Sequence, residues 1–360
     1  MPMTGESFFE RRRELLDTEP VDRDALPRIG TSRAGRPVRG FRIGRGDLRI
    51  SLLAGCHADE PVGPRLLRRL PRFLESLPAT DPWRTAVEWW ILPHLNPDGA
   101  AANRGWIDGE PSRYDPADYV ASVEREAPPD DVEFGFPRST DDAGARPENR
   151  AAFGWWRGAE GPFHLHASLH GMAVGEGAWF LIDADWRHRC GRMVRRCRRR
   201  TEELGLRLHD IDRHGEKGFE RLAPGFATRP DSRAMRAHFM GREQPEMAEK
   251  FRPSSMETLK ALGGDPLTTV SEVPLFLVRE FDPEERGDAS ALRSWKERLR
   301  RWRAELERGA ERDELRERAR RAGVTPVPTV EQMDLQWTLV AAGAEAVLRD
   351  RGAALTGEGG

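Results

Sequence analysis

The stretch Ile50-Ser51-Leu52-Leu53-Ala54-Gly55-Cys56-His57-Ala58-Asp59-Glu60-Pro61 decides how the chain is read. Ile50 to Ala54 is an apolar run, the pattern of a strand buried in a sheet covered on both faces. It ends in Gly55-Cys56-His57, and a helix is predicted from about Pro61 to Leu77 with Leu66, Leu67, Leu70 and Phe73 on one face. The same alternation recurs along the chain. Val38–Ile43, Val87–Leu92 (stopped by Pro93 and followed by the turn Asn96–Gly99), Phe163–Leu169, Ala178–Ile182, Leu267–Val273 and Phe276–Val278 are strand candidates. Residues 7–16 and 186–204 are helix candidates. Leu292, Trp295, Leu299, Trp302 and Leu306 make an amphipathic helix, and Met333, Trp337, Val340, Ala344 and Val347 another. The predicted class is α/β, a mixed and mostly parallel twisted sheet with helices on both faces, plus a C-terminal helical extension.

Composition narrows the function. The chain has 360 residues, 11 Trp and 15 Phe, enough for a sizeable core. Its 58 Lys+Arg against 60 Asp+Glu leave a net charge of −2, so no overall basic field argues for nucleic acid. Only Lys217, Lys250, Lys260 and Lys296 among those cations are lysines. Three cysteines make no disulfide framework, and Met1 to Leu16 is charged without an apolar centre. The expectation is a cytoplasmic protein with no membrane and no nucleic-acid partner; the oligomeric state is left open. Residues 1–28 read as an N-terminal helix and linker and 29–285 as a catalytic domain with a long flap at 105–148. Residues 286–360 read as a helical extension packed on that same domain.

Three features carry chemistry. His57 and Glu60, three apart at a strand end, can reach one cation. Catalytic zinc takes three N/O protein ligands and keeps one position open. In an extended Phe163–Gly171, His164, His166, Ser168 and His170 point to one side, and His170 is best placed at the carboxyl edge of the sheet. Glu272 ends the β-branched run Thr268-Thr269-Val270-Ser271, either as an edge charge or as a base beside a metal site. Cys56 reads as a small packing residue, and the Arg-rich face around Arg195–Arg200 as a solvated surface.

These residues lie in a sequence that resembles the zinc carboxypeptidases of the carboxypeptidase A type, from about Ile29 to Leu275. Gly30-Thr31-Ser32-Arg33-Ala34-Gly35-Arg36-Pro37 is similar to the family's Gly-x-Ser-x-x-Gly-Arg-Pro opening, and the turn carrying His57 and Glu60 to its metal-binding turn. Pro93-His94-Leu95-Asn96-Pro97-Asp98-Gly99 resembles its Pro-x-x-Asn-Pro-Asp-Gly signature. Pro147-Glu148-Asn149-Arg150 falls where the family has Asp-x-Asn-Arg. Ser168-Leu169-His170-Gly171 falls where it has the last ligand, 110 residues after Glu60.

The resemblance implies the family's fold and one Zn²⁺ per chain held by His57, Glu60 and His170. It implies Glu272 as general base, Asn149 and Arg150 as a clamp on a substrate carboxylate, and Arg104 near the developing oxyanion. The implied activity is cleavage of an amide bond, most simply by a carboxypeptidase acting on a peptide or N-acyl amino acid with a free carboxylate. An N-acyl amino acid deacylase resembling the succinylglutamate desuccinylase and aspartoacylase branch is the alternative, and a non-catalytic zinc-binding interaction protein the third reading. Three positions depart from the family. The only tyrosines, Tyr114 and Tyr119, lie far from the stretch before Glu272; Ile107 stands where a second Arg is expected; and Pro147 stands where an Asp supports the first zinc histidine.

Overall fold

The computed structural model describes residues 5–109, 111–127, 130–278 and 289–356. Among them run the strands β1 (Arg28–Thr31), β2 (Pro37–Ile43), β3 (Leu48–Ala54), β4 (Val87–His94), β5 (Leu165–Gly175), β6 (Trp179–Ile182), β7 (Arg221–Ala223), β8 (Phe226–Thr228), β9 (Leu267–Val278) and β10 (Val324–Pro326). They form one mixed sheet in the order β1-β2-β4-β3-β5-β9-β6-β8-β7, with β10 added to β9. The pairs β4·β3, β3·β5 and β5·β9 are parallel, while β1·β2, β2·β4 and β6·β9 are antiparallel. Parallel pairing is thus concentrated in the central four strands. Their carboxyl ends share one edge, and that edge carries the site.

The central strands are apolar because both faces are covered. Ile50, Leu52, Leu165, Ala167 and Leu267 face a large core that includes the terminal helix Thr329–Thr356. Leu53, Trp90, Leu92 and Phe163 face a second cluster with Phe136, Trp156 and Leu259. The terminal helix packs on β9, β5 and the helices Gly191–Glu203 and Gly5–Glu10. Leu335, Leu339, Val340, Ala341 and Ala344 on it are all fully buried, so it is enclosed on several sides and has no single apolar stripe. No helix among the described residues is long and apolar enough to cross a membrane.

Four local expectations change. The helix expected from Pro61 to Leu77 is broken at Arg68 into Val62–Leu67 and Arg69–Ser76. Pro71 accounts for the break, since it has no N–H for the Leu67 carbonyl and its ring crowds that group. β4 runs through Pro93 to His94, and the β2·β4 register shifts between Arg39 and Phe41, so Pro93 sits where the ladder is already irregular. The expected Asn96–Gly99 turn is the start of a helix, Pro97–Ala102. Asn96 caps it by accepting the Gly99 N–H at 2.9 Å. The two segments expected around Pro274 form one strand, β9. On the side opposite β5, β6 pairs only to Glu272 and β10 only from Phe276, leaving Pro274 where its missing donor costs nothing. Leu292's side chain and the 285/286 boundary lie outside the described residues.

Trp83, Trp89 and Trp337 stack with centroids 5.6 to 6.3 Å apart, joining the terminal helix to β4. Trp337 also donates its indole N–H to the Phe8 carbonyl at 3.0 Å. Replacing a buried tryptophan leaves a cavity that a close-packed core cannot fill. Trp337→Ala is therefore expected to destabilise the fold by about 3–5 kcal/mol in urea unfolding monitored by circular dichroism.

Candidate metal centre

The site begins at Gly55, which ends β3 with φ +64°, a conformation that suits glycine. A Cβ there would also lie 2.6 Å from the His94 ring, so the turn that launches His57 needs a bare backbone. Three residues later the chain enters the helix Val62–Leu67. Gly63 there lets it approach β5 so closely that a Cβ would sit 2.7 Å from the Leu169 carbonyl. This close contact brings Glu60 against His170.

His57 Nδ1 lies 2.7 Å from Glu60 Oε1, and His170 Nδ1 lies 2.9 Å from Glu60 Oε2 and 3.1 Å from His57 Nδ1. Each ring turns its other nitrogen to a second partner. His57 Nε2 is 3.3 Å from Asp131, while His170 Nε2 is 2.8 Å from Ser168 Oγ and 3.3 Å from Glu133. An acid on Nε2 favours the tautomer with its proton there and its lone pair on Nδ1, directed into the cluster. Two Nδ1 atoms and one carboxylate facing a common point form the donor set that zinc takes, with N and O ligands only.

The electrostatics agree. Burial alone would depress the His57 imidazole, but the Glu60 carboxylate, helped by Asp131, lifts it to about 10. His170 is likewise raised well above the ordinary range, with Glu60 overcoming burial. Burial opposes the charge of Glu60, yet His57 and His170 hold it well below the usual carboxylate range. The three groups demand positive charge among them, and a divalent cation at the Nδ1 atoms supplies it in place of imidazolium protons.

A second set, Cys56, Glu133 and His170, shares one histidine with the first. Burial, then Glu133, pushes the Cys56 thiol far up, which keeps it protonated and a poor ligand. His57, Glu60 and His170 are the better set.

Glu272 stands directly across β5·β9 from His170 in register, and across β6·β9 from Trp179. Burial and then the Glu60 charge raise its carboxyl to about 7. Arg125 lies in the same concavity, 3.2 Å from Asp59 and 3.4 Å from Glu60, and Tyr119 donates its hydroxyl to Asp59 at 3.2 Å. Buried His166 joins Ser51 at 3.0 Å and Ser255 at 3.1 Å, and Ser255 donates to Glu133 at 3.2 Å. His166 is thus tied to the centre through Ser255 and Glu133, with burial holding its imidazole down at about 3.

Three positions implied by the resemblance do not join the cluster. Arg104 is two-thirds exposed and pairs with Asp108 at 3.5 Å; Arg125 is the guanidinium beside Glu60. Arg150 is exposed on the helix Pro147–Trp156. Asn149 is buried and donates to the Val132 carbonyl at 2.7 Å, so it braces the segment that carries Asp131 and Glu133. Asp131, which holds His57, takes the supporting role that Pro147 cannot. Taking Asp131 as the family's Asp puts the Asn and Arg positions of the Asp-x-Asn-Arg pattern on Glu133 and Phe134. The sequence reading missed Asp131, Glu133 and Arg125 because 105–148 shows no periodicity. The available signal was its density of carboxylates beside a lone Asp-Val-Glu.

The zinc carboxypeptidase family model matches residues 15–175, a span that includes His57, Glu60 and His170, so the resemblance holds over that stretch. This supports a metallohydrolase. No curated protein sequence matches the chain. Among solved structures, bovine thrombin-activatable fibrinolysis inhibitor in complex with tick carboxypeptidase inhibitor is 12% identical, with 97% of this chain and 98% of that chain covered and a TM-score of 0.44. A metallo-carboxypeptidase from Pseudomonas aeruginosa in complex with (2-guanidinoethylmercapto)succinic acid is 18% identical, covering 97% and 70%, with a TM-score of 0.40. A metallo-carboxypeptidase from Burkholderia cenocepacia is 14% identical, covering 97% and 71%, with a TM-score of 0.42.

His57→Ala is expected to lose zinc measured by elemental analysis of purified protein. Asp131→Asn keeps the ligands but loses the acid behind His57, and is expected to weaken zinc about 10- to 100-fold in competition with a chelating dye.

Proposed function

We propose that the protein is a zinc-dependent hydrolase of an amide bond, with one Zn²⁺ held by His57, Glu60 and His170 and with Glu272 as general base. The observation that carries this reading is the convergence of His57 Nδ1, Glu60 and His170 Nδ1, with Glu272 in register beside His170. Zinc, when bound, supplies Lewis acidity and lowers the pKa of water toward about 7.

The chain's own groups supply the rest. Glu272 takes a proton from the attacking water and passes it to the leaving amine, a task suited to a carboxylate whose burial has raised its basicity. Arg125 offers a guanidinium to the developing oxyanion or to a substrate carboxylate. Asp59 and Tyr119 hold it in place. Lys296, on the helix Ala289–Glu307, faces the same cleft, since Arg125 and Glu272 both act on its charge.

The simplest activity is that of a carboxypeptidase releasing a C-terminal amino acid. The placement of Asn149 and Arg150 favours a second reading, the N-acyl amino acid deacylase. The expected peptide-carboxylate clamp does not assemble, and Glu133 and Phe134 stand where it is implied. A panel of C-terminal peptides set against N-acyl amino acids separates the two: release of a free C-terminal residue supports the first, release of a free acyl acid the second, and turnover of neither panel overturns both.

Glu272→Gln is expected to lower kcat by about 10²- to 10⁴-fold while the zinc content stays unchanged. A base works only when ionised, so kcat/KM falls as pH drops through the Glu272 pKa. That pKa is about 7 beside the uncompensated Glu60 charge, and a bound cation neutralises Glu60 and moves it lower. The acid limb of the kcat/KM profile of the zinc-loaded protein is therefore expected below about 7.

A further inference from the structure

Arg104 leaves the metal centre for a different place, a cavity of about 310 Å³ at the carboxyl end of β4. Its floor is Pro93 and His94, and its apolar walls include Leu26, Pro37, Pro97 and Ala100. Arg23, Arg36, Arg39, Arg68 and Arg104 also line it, and Asp24 is the one carboxylate among its lining residues. They come from five parts of the chain: the turn Arg23–Ala25, the β1–β2 loop, β2, the break between the helices after β3, and the helix Arg104–Ile107. Tertiary folding has gathered them.

Carboxylates reach only part of this charge. Arg39 pairs with Asp24 at 3.0 Å and Arg36 with Asp98 at 2.9 Å, while Arg23 and Arg104 share Asp108 at 3.7 and 3.5 Å. Arg68 donates to the Val21 carbonyl at 3.4 Å and has Asp22 nearby. Two groups register the surplus. Burial, then Arg23, Arg69 and Arg65, pulls the Arg68 guanidinium down to about 10. Burial, then Arg23 and Arg68, pulls His94 down to about 3. Guanidinium groups this close repel one another, and a bound anion relieves that repulsion while forming charge-assisted hydrogen bonds. The volume lies at the lower end of that found for small-molecule sites, and apolar walls with a few convergent polar groups are their usual lining.

We propose that this cavity is a binding site for a small, multiply charged organic anion, a phosphate ester or a polycarboxylate, held by Arg23, Arg36, Arg68 and Arg104 with its apolar body against Leu26, Pro97 and Ala100. The site is separate from the metal centre: none of the zinc-site residues lines it. It does abut that centre, because the His94 ring packs on Gly55, two residues before His57.

The test is titration calorimetry of the zinc-loaded protein with inorganic pyrophosphate and, separately, citrate at low ionic strength. Saturable one-to-one binding of either probe is expected, and the tighter probe assigns the head group as phosphate or carboxylate. Arg36→Ala and Arg104→Ala, each on an exposed side chain, are expected to weaken binding at least tenfold. Ala101→Trp, which fills the cavity, is expected to abolish it. His57→Ala is expected to bind the probe as wild type does, which separates this site from the metal centre. Absence of saturable binding, unchanged binding in both arginine variants and Ala101→Trp, or loss of binding in His57→Ala alone would overturn the proposal.

Discussion

The Glu60 carboxylate, held between two imidazole Nδ1 atoms, is the contact on which the functional architecture turns. A buried carboxylate without compensation costs several kcal/mol, so the groups around it must provide positive charge or a cation. The fold meets this with parts remote in sequence. The turn after β3 brings His57 and Glu60, β5 brings His170, β9 brings Glu272, and the segment before the helix Pro147–Trp156 brings Asp131 and Glu133. Parallel pairing of β3, β5 and β9 makes this possible, because it aligns three carboxyl ends on one edge.

Behind the donor atoms runs a connected polar network. Ser51, His166, Ser255 and Glu133 link the interior of the sheet to His170, and Asn149 fastens the Asp131–Glu133 segment through the Val132 carbonyl. Buried polar groups of this kind are costly unless partnered, and here the partners orient the rings of the centre. Arg125 adds one guanidinium beside two carboxylates, Asp59 and Glu60, leaving the region short of positive charge. The protein thus carries two opposite electrostatic environments at one sheet edge: a carboxylate-rich centre suited to a cation, and an arginine-lined cavity behind His94 suited to an anion.

Much of this was legible in the chain. The apolar runs of β3, β4, β5 and β9 announced an α/β sheet because a strand covered on both faces has no polar side to show. His57, Glu60 and His170 were legible because their spacing relative to those runs puts them at strand ends. Pro71, Pro93 and Pro274 misled in different ways. A proline breaks a helix through its own ring and missing N–H, whereas its effect in a strand depends on whether a neighbour needed the donor. Asp131, Glu133 and Arg125 stayed hidden because an irregular segment has no period from which to infer a facing side chain.

By itself the sequence determined the class of fold, the edge of the sheet where chemistry gathers and the three donors for a cation, since burial patterns and strand ends are local properties of the chain. The tertiary structure decided which carboxylates stand behind the histidines, that Asn149 braces a loop while Arg150 faces solvent, and that Arg104 joins four other arginines around a separate cavity. Such matters depend on distances between segments far apart in sequence. Those distances are set by packing and strand order, which no single stretch of residues encodes.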